Sequence, residues 1–457
     1  MHQGVRLDLA VVWTGRNPTN VLFDTHRLLG RMLNPMTGLI QMIGFLSHDS
    51  NEARFLTAGA ELTGVHLLRD RPRPEVGYYH IGGTGTHLDE VLIRCLGETA
   101  ERYAQFISDT VLRERVRVAS YNEMKEAGEN VIAAEKLTFF SDQQLDRPQF
   151  PYKRFSRHDP IGWIQLRSLI GGEYCFVPAQ LVLVGYLGRP GEQRILSSVT
   201  TGSAAHTDAG AALRNALREL IQIDSAMGHW YTPSVAPRMI WDQRVRPMRE
   251  LIDRHFPRSR PPPEFYLLQN PDLSGFSVAC VLRRPGEAPA VGVGLGMDLR
   301  LNRALYAALI EAVGVLQLAK KGLIDRAASG RETQQIDPSA IYDLDTNVWF
   351  YALPENADLI DAKFAGKESV LAADLPPDHA ADPSEECRLL ASAFRKTGKE
   401  LYWLDLTTRD IRDLGLVVAR VWSPDTLSLS MPSAPPVEHR RFGAFGGAAN
   451  MLPHPYP

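Results

Sequence analysis

Three stretches of the chain place apolar residues at helical spacing just after a glycine-containing turn. In GGTGTHLDEVLIRCLGETAERYAQF (82–106), Leu88, Val91, Leu92, Cys95 and Leu96 recur at i, i+3, i+4 and i+7, the stripe of an amphipathic helix. TTGSAAHTDAGAALRNALRELIQIDSAM (200–227) repeats the arrangement with Leu213, Ala216, Leu217, Leu220 and Ile221. VGLGMDLRLNRALYAALIEAVGVLQLAKKG (293–322) repeats it again with Leu305, Ala308, Leu309, Ala312 and Leu316. The intervals are too long and irregular for a solenoid, so the recurrence predicts related lobes.

Between these units the pattern predicts strands and connections. Residues 25–33 read as helical, and LAVVW (9–13) and short alternating runs from Asn34 to Tyr79 read as strands. VLRERVRVASYNEMKEAG (111–128) reads as a helix, and WIQLRSL and EYCFVPAQLVLVGYL as strands joined at Gly171-Gly172. RSRPPPEF (258–265) predicts an extended connection, and FYLLQNPDLSGFSVACVL (265–282) a hairpin turning at Asn270, Pro271, Asp272 and Gly275. Lys320 to Ile341 and Ala365 to Glu385 are polar and poor in pattern, as surface loops are. The stretch 386–422 predicts helix, strand, short helix and final strand. Strands alternating with acid-bearing helices predict an α+β (mixed α/β) fold in which helices cover sheets and a site opens near the helix ends.

The polar faces of the three helices change the picture. Glu98 and Glu101 stand three apart, with Arg102 one turn beyond Glu98. Glu219 and Gln222 repeat that spacing, and the third helix carries Glu311. Two carboxylates on one face repel unless a positive charge separates them. A solvated face with an intrahelical Glu–Arg pair would meet that need, and so would an oxygen-preferring divalent cation. Recurrence of the pattern favours the cation.

Composition narrows the classes. The chain has 457 residues, 44% of them hydrophobic, enough for a substantial core in one large or two closely packed domains. Its formal charge of −3 and the lack of a long basic run argue against a general nucleic-acid binder. Cys95, Cys175, Cys280 and Cys387 show no metal-ligand or disulfide spacing, which suits a reducing cytoplasm. LAVVW is too short for a signal-peptide core, and no apolar run is long enough to span a bilayer, so no membrane partner is expected. There is no GxxxxGK[ST] phosphate loop.

GETAER at Gly97 to Arg102 and ALRELIQID at Ala216 to Asp224 resemble the two acidic motifs, GExxER and ALxExxER, of the YcaO superfamily. NPMTGLI at Asn34 to Ile40, FVPAQLVLV at Phe176 to Val184 and NVWFYALPENA at Asn347 to Ala357 are similar to the family's opening, middle strand and late strand-and-turn segment. LGLVVARVWSP at Leu414 to Pro424 and the terminal PHPYP resemble members that make azolines in peptides. The resemblance implies a YcaO fold with ATP and Mg2+ held between helices: metal at Glu98, Glu101 and Glu219, nucleotide contacts from these, Arg102 and Gln222. Arg102 either neutralises phosphate or braces Glu98. Where the second motif commonly has Glu then Arg, this chain has Gln222 and Ile223, which weakens one cation position and removes one phosphate contact.

What the resemblance implies of function is an ATP-dependent cyclodehydratase. A Cys, Ser or Thr side chain of a ribosomal precursor peptide attacks the preceding carbonyl, the oxygen is phosphorylated, and loss of phosphate leaves a thiazoline or oxazoline. The proton acceptor is implied at the C-terminal carboxylate of Pro457, on a proline-stiffened tail (446–457), with His454 a packing or solvent-facing residue. Residues 1–33 read as a lead-in and 34–457 as the YcaO domain. The lead-in is too small for a peptide-binding module, so a leader-binding partner resembling a ubiquitin-activating enzyme and an FMN-dependent dehydrogenase are expected in the same complex. A relative forming a thioamide or amidine, and a non-catalytic scaffold subunit, are the alternatives.

Overall fold

Three times along the chain a strand passes through a two-residue link into a long helix, and each time the strand belongs to a different sheet. These relations come from a computed structural model that describes residues 18–34, 36–68, 81–330, 335–366 and 368–457. Helices of seven or more residues are numbered α1 (Pro18–Met32), α2 (Leu88–Phe106), α3 (Ala209–Tyr231), α4 (Arg246–His255), α5 (Leu301–Ala328), α6 (Thr346–Ala352) and α7 (Pro383–Lys396).

The first sheet is antiparallel, in the order β1 (Ile40–Leu46), β2 (Leu56–Leu62), β3 (Ile81–Gly85), and β3 leads into α2. The second runs β4 (Arg117–Ala119), β5 (Ile161–Ser168), β13 (Tyr402–Asp405), β14 (Val417–Trp422), β7 (Ser203–His206), with β6 (Tyr174–Pro178) also on β5; β7 leads into α3. The third runs β11 (Val291–Asp298), β10 (Phe276–Arg283), β9 (Glu264–Leu267), β8 (Arg238–Ile240), β12 (Ser369–Leu371), and β11 leads into α5. The expected mixed fold of helices on sheets is thus built from three related units.

The apolar stripes explain the packing. Val91, Cys95 and Leu96 of α2, Ala216, Leu217 and Leu220 of α3, and Leu305, Ala308, Leu309 and Ala312 of α5 are all buried. Leu88 departs from its stripe: as the first residue of α2 it stays 48% exposed. β11 lies close under α5 because its inward positions are glycines. A Cβ at Gly294 would sit 2.0 Å from Ala312 N and 2.4 Å from Ala308 O, and one at Gly296 2.2 Å from Ala304 O.

Several sequence expectations are corrected. Residues 111–128 are not one helix: Arg117–Ala119 pairs with β5, and Ser120 then starts a short helix through a capping box with Glu123. The predicted strand at 173–187 stops at Pro178, which has no N–H to continue the ladder, and Ala179–Leu181 turns instead. Lys320–Ala328 is no loop but the end of α5, supported by a Lys321–Asp325 ion pair one turn apart. Within 365–385, Ser369–Leu371 pairs in parallel with β8. The late segment at Asn347 is helical (α6), not a strand. The hairpin at 265–282 forms, with Val278 opposite Leu267, and the order helix, strand, short helix, strand holds at 386–422. LAVVW and most of the lead-in lie outside the described residues.

The glycine-lined contact gives a direct test. Gly294→Ala forces α5 away from β11 and should cost about 1–3 kcal/mol, as overpacking does. Gly30→Ala, exposed within α1 with no atom near the added Cβ, should gain about 0.5–1 kcal/mol. Chemical denaturation of both variants checks the pair, and equal effects would contradict the close packing.

Candidate active site

The three helices bring their acids to the wall of one cavity of about 2250 Å³, lined by Glu98, Glu101, Arg102, Glu219, Gln222 and Glu311. Glu98, Glu219 and Glu311 each lie ten residues beyond the first residue of their helix, Leu88, Ala209 or Leu301. Each is also tied to its own strand. The Gly82 N–H donates to Glu98 Oε2 at 3.0 Å, and backbone hydrogen bonds from Ser203 and Leu295 reach Glu219 and Glu311. In all three pairs the donor precedes its acid by sixteen residues. Strand, link and helix therefore aim one carboxylate in each unit by the same local geometry.

The position three residues further on differs: Glu101 in α2, Gln222 in α3 and Gly314 in α5. All three line the cavity. Gln105 Nε2 donates to Glu101 Oε1 at 3.2 Å. At Gly314 an added Cβ would meet Thr84 Oγ1 of β3 at 3.0 Å, so the third unit uses that position for close packing on the first.

Arg102 donates to Glu98 Oε1 through Nε at 3.3 Å and Nη2 at 3.1 Å, and its head also faces the cavity. It therefore braces Glu98 while remaining open to an anion. Arg420 of β14 is only 1% exposed and stands behind the acids, donating to Ser203 Oγ and Ser198 Oγ at 3.0 Å. Burial lowers its pKa to about 10, against the favourable charges of Glu219 and Glu101. Sequence reasoning named Glu311 but left it outside the site, and missed Arg420; a single arginine within the apolar VVARVW was the available signal.

Burial, then the Glu219 charge, holds Glu101 well above the usual carboxylate range. Burial pushes Glu219 up to about 7, with Arg102 and Arg420 opposing, and Glu311 up to about 8, with Glu219 and Glu98 adding to the rise. Elsewhere on the cavity wall the sign reverses. Arg218 pairs with Asp298 at 2.6 Å, and Arg214 and Arg300 each pair with Glu386 at 3.2 Å. With Arg303 these place four guanidiniums against two carboxylates.

The acid set fits a cation shared with a polyphosphate. Among the described residues no three acidic, His or Cys side chains gather tightly enough to enclose a bare ion. Magnesium usually takes one or two carboxylates together with waters and phosphate oxygens, so it needs no all-protein cage. Acids raised by burial and by neighbouring carboxylates, on a cavity wall that also carries arginines, match that division of ligands.

The tail reaches the same cavity, where Pro457 is part of the wall. Its approach is buried: Pro453 to Tyr456 are shielded and Tyr456 packs edge-on against Trp230. His454 is a packing residue, fully buried, stacked on Tyr456 and bonded through Nε2 to Ser430 O at 2.8 Å.

Carboxylates from three strand–helix units and a group of arginines line one cavity, a set suited to a cation-bound polyphosphate. The chain belongs to the YcaO family: the family described as YcaO cyclodehydratase, ATP- and Mg2+-binding, matches residues 82–427. No curated protein sequence matches the chain. Among solved structures, a heterocyclase in complex with substrate and cofactor shares the fold over 100% of this chain, with a TM-score of 0.68 and 19% identity. This chain spans 59% of that heterocyclase's length. YcaO from Methanopyrus kandleri, bound with AMPPCP and Mg2+, gives a TM-score of 0.59 at 16% identity, covering 98% of this chain and 99% of its own. The E. coli microcin synthetase McbBCD complex gives 0.59 at 14% identity, covering 93% and 99%. Among the described residues no helix is long and apolar enough to cross a membrane.

Protonation of the acids sets a pH dependence. Folded pKa values raised from 4.5 give Glu219 and Glu311 a stabilising contribution that is full below about 4.5 and lost as pH rises through about 7 to 8. A cation must displace those protons. Mg2+–AMPPCP binding should therefore release protons near pH 7 and strengthen between about pH 6 and 8. Calorimetry in buffers of different ionisation enthalpy measures this; Glu311→Gln should reduce the release, and a pH-independent affinity would contradict the buried acid cluster.

Proposed function

We propose that the chain is an ATP-dependent cyclodehydratase that converts Cys, Ser or Thr residues of a ribosomal precursor peptide to thiazolines or oxazolines. The observation that carries this reading is the meeting, in one cavity, of the acids of three helices and the terminal residue Pro457. In this reading Glu98, Glu101 and Glu219 hold magnesium, and Gln222 offers a neutral carbonyl oxygen beside them. Arg102 and the arginine-rich wall neutralise phosphate, and Arg420 supplies the positive charge behind Glu219 that Ile223 does not.

Ring closure forms a bond from the side-chain sulfur or oxygen to the preceding carbonyl carbon, with loss of the S–H or O–H proton; the bond from that carbon to its oxygen then breaks as the amide N–H proton leaves and a C=N bond forms. ATP with Mg2+ supplies the phosphoryl group that turns this poor leaving oxygen into phosphate. The chain's own residues contribute positioning, charge neutralisation and proton removal. Pro457 takes the proton released on ring closure, its carboxylate presented on a stiff chain that loses little entropy on ordering.

The fold likeness to a chain of the McbBCD complex supports a place in a multi-subunit assembly. The partners inferred are a leader-binding protein resembling a ubiquitin-activating enzyme and an FMN-dependent dehydrogenase. Four free, buried cysteines fit a cytoplasmic protein, and the domain is taken to run from residue 34 through the tail.

The test uses a synthetic peptide of Gly-Cys and Gly-Ser steps behind a leader, with the leader-binding partner and MgATP, reading phosphate release and loss of one water per ring by mass. Glu98→Gln or Glu219→Gln should abolish both while leaving the melting temperature within a few degrees. One residue appended after Pro457 should slow ring formation at least about tenfold while AMPPCP affinity changes less than about twofold. Phosphate release without water loss would overturn azoline formation, and neither, with partner binding retained, would favour the scaffold.

A further inference from the structure

The last residues reach the cavity along a buried path on which side-chain donors meet their backbone carbonyls. Trp230 Nε1 donates to Leu452 O at 2.9 Å, Tyr351 OH to Pro453 O at 2.6 Å, and Asn347 Nδ2 to both His454 O at 2.8 Å and Tyr456 O at 2.7 Å. Asn347 is 0% exposed, and Asn347 and Tyr351 lie one turn apart on α6, so a single helix face holds three carbonyls of the tail, those of Pro453, His454 and Tyr456. Pro453, Pro455 and Pro457 carry no N–H, so the tail offers chiefly acceptors where this face offers donors. The match is to backbone and needs no tail side chain.

We propose that Asn347 is a positioning residue for the reaction: by holding the carbonyl of Tyr456 it fixes where the carboxylate of the next residue, Pro457, can stand. The proposal rests on the reading that this carboxylate serves ring closure. A single amide holding two carbonyls two residues apart sets both the direction of the chain end and its reach. Losing either bond frees the last peptide to rotate, and displacement of a reacting group by about 1 Å suffices to cost on the order of a hundredfold in rate.

Asn347→Asp keeps the size of the side chain, removes both donors and turns a carboxylate towards two carbonyl oxygens. Carboxypeptidase Y should then release the C-terminal residues from the folded chain at least about tenfold faster than from wild type, since a buried hydrogen bond of this kind is lost. AMPPCP affinity should stay within about twofold, and ring formation on the Gly-Cys and Gly-Ser peptide should fall in kcat with little change in KM. Asn347→Gln, which restores the donors, should recover part of the protection. Combining Asn347→Asp with one residue appended after Pro457 should be no slower than the appended chain alone. Unchanged protection, or effects that multiply in the double variant, would overturn the proposal. Tyr351→Phe, which loses only one hydroxyl, repeats the protection assay with less risk to folding. Failure of the underlying reading shows differently: tail release still accelerates, while the appended chain forms rings at the wild-type rate.

Discussion

Mutual repulsion among carboxylates is the constraint around which this fold is arranged. Burial, and then the charges of neighbouring acids, raise the proton affinity of Glu101, Glu219 and Glu311, with Arg102 and Arg420 opposing the rise at the first two and Arg94 at the third. Once ionised, such a cluster gives the fold no stability, so the cost is carried by the packing around it, in the apolar stripes of α2, α3 and α5. Backbone donors from Gly82, Ser203 and Leu295 keep the acids aimed despite the repulsion.

A second buried charge system ties the C-terminal segment to that framework. Arg441 grips Asp224 of α3 through Nε at 3.0 Å and Nη2 at 2.6 Å and reaches Asp272 through Nη1 at 3.0 Å. The Leu427 N–H donates to Asp224 Oδ1 at 2.8 Å. Both partners of the central pair are almost fully shielded, so losing either would leave an uncompensated buried charge. The helix that bears Glu219 is thus also the anchor of the segment that leads to Pro457, so two parts of the cavity wall share one support.

Much of this was legible in the sequence because helical periodicity survives in a single chain. The stripes of α2, α3 and α5 and the ExxE and ExxQ spacings announced the three units, one acid pair and one Glu–Gln pair. Glu311 was visible as an acid at comparable depth, but its convergence with Glu98 and Glu219 depends on how three sheets meet, which no local pattern records. Arg420 was hidden for the same reason: a lone arginine in an apolar strand reads as an edge position until its neighbours are known. The short elements misread at 111–128 and 173–187 turned on single residues, Ser120 as a cap and Pro178 as a ladder stop, that outweighed the average propensity around them. The end of α5 was misread because its polar residues are stabilised by pairing along the helix and not by burial.

The repeated hydrogen bond from each strand to its own glutamate has a mechanical meaning. Each carboxylate moves with its sheet as part of one stiff body, so the distances between acids measure how the three sheets are set against one another. With magnesium held as proposed, by Glu98, Glu101 and Glu219, the ion acts as a rivet between the first two of these bodies. Loading the pocket and stiffening that joint then become the same event, and shear between those two sheets is the motion most directly opposed by the bound charge.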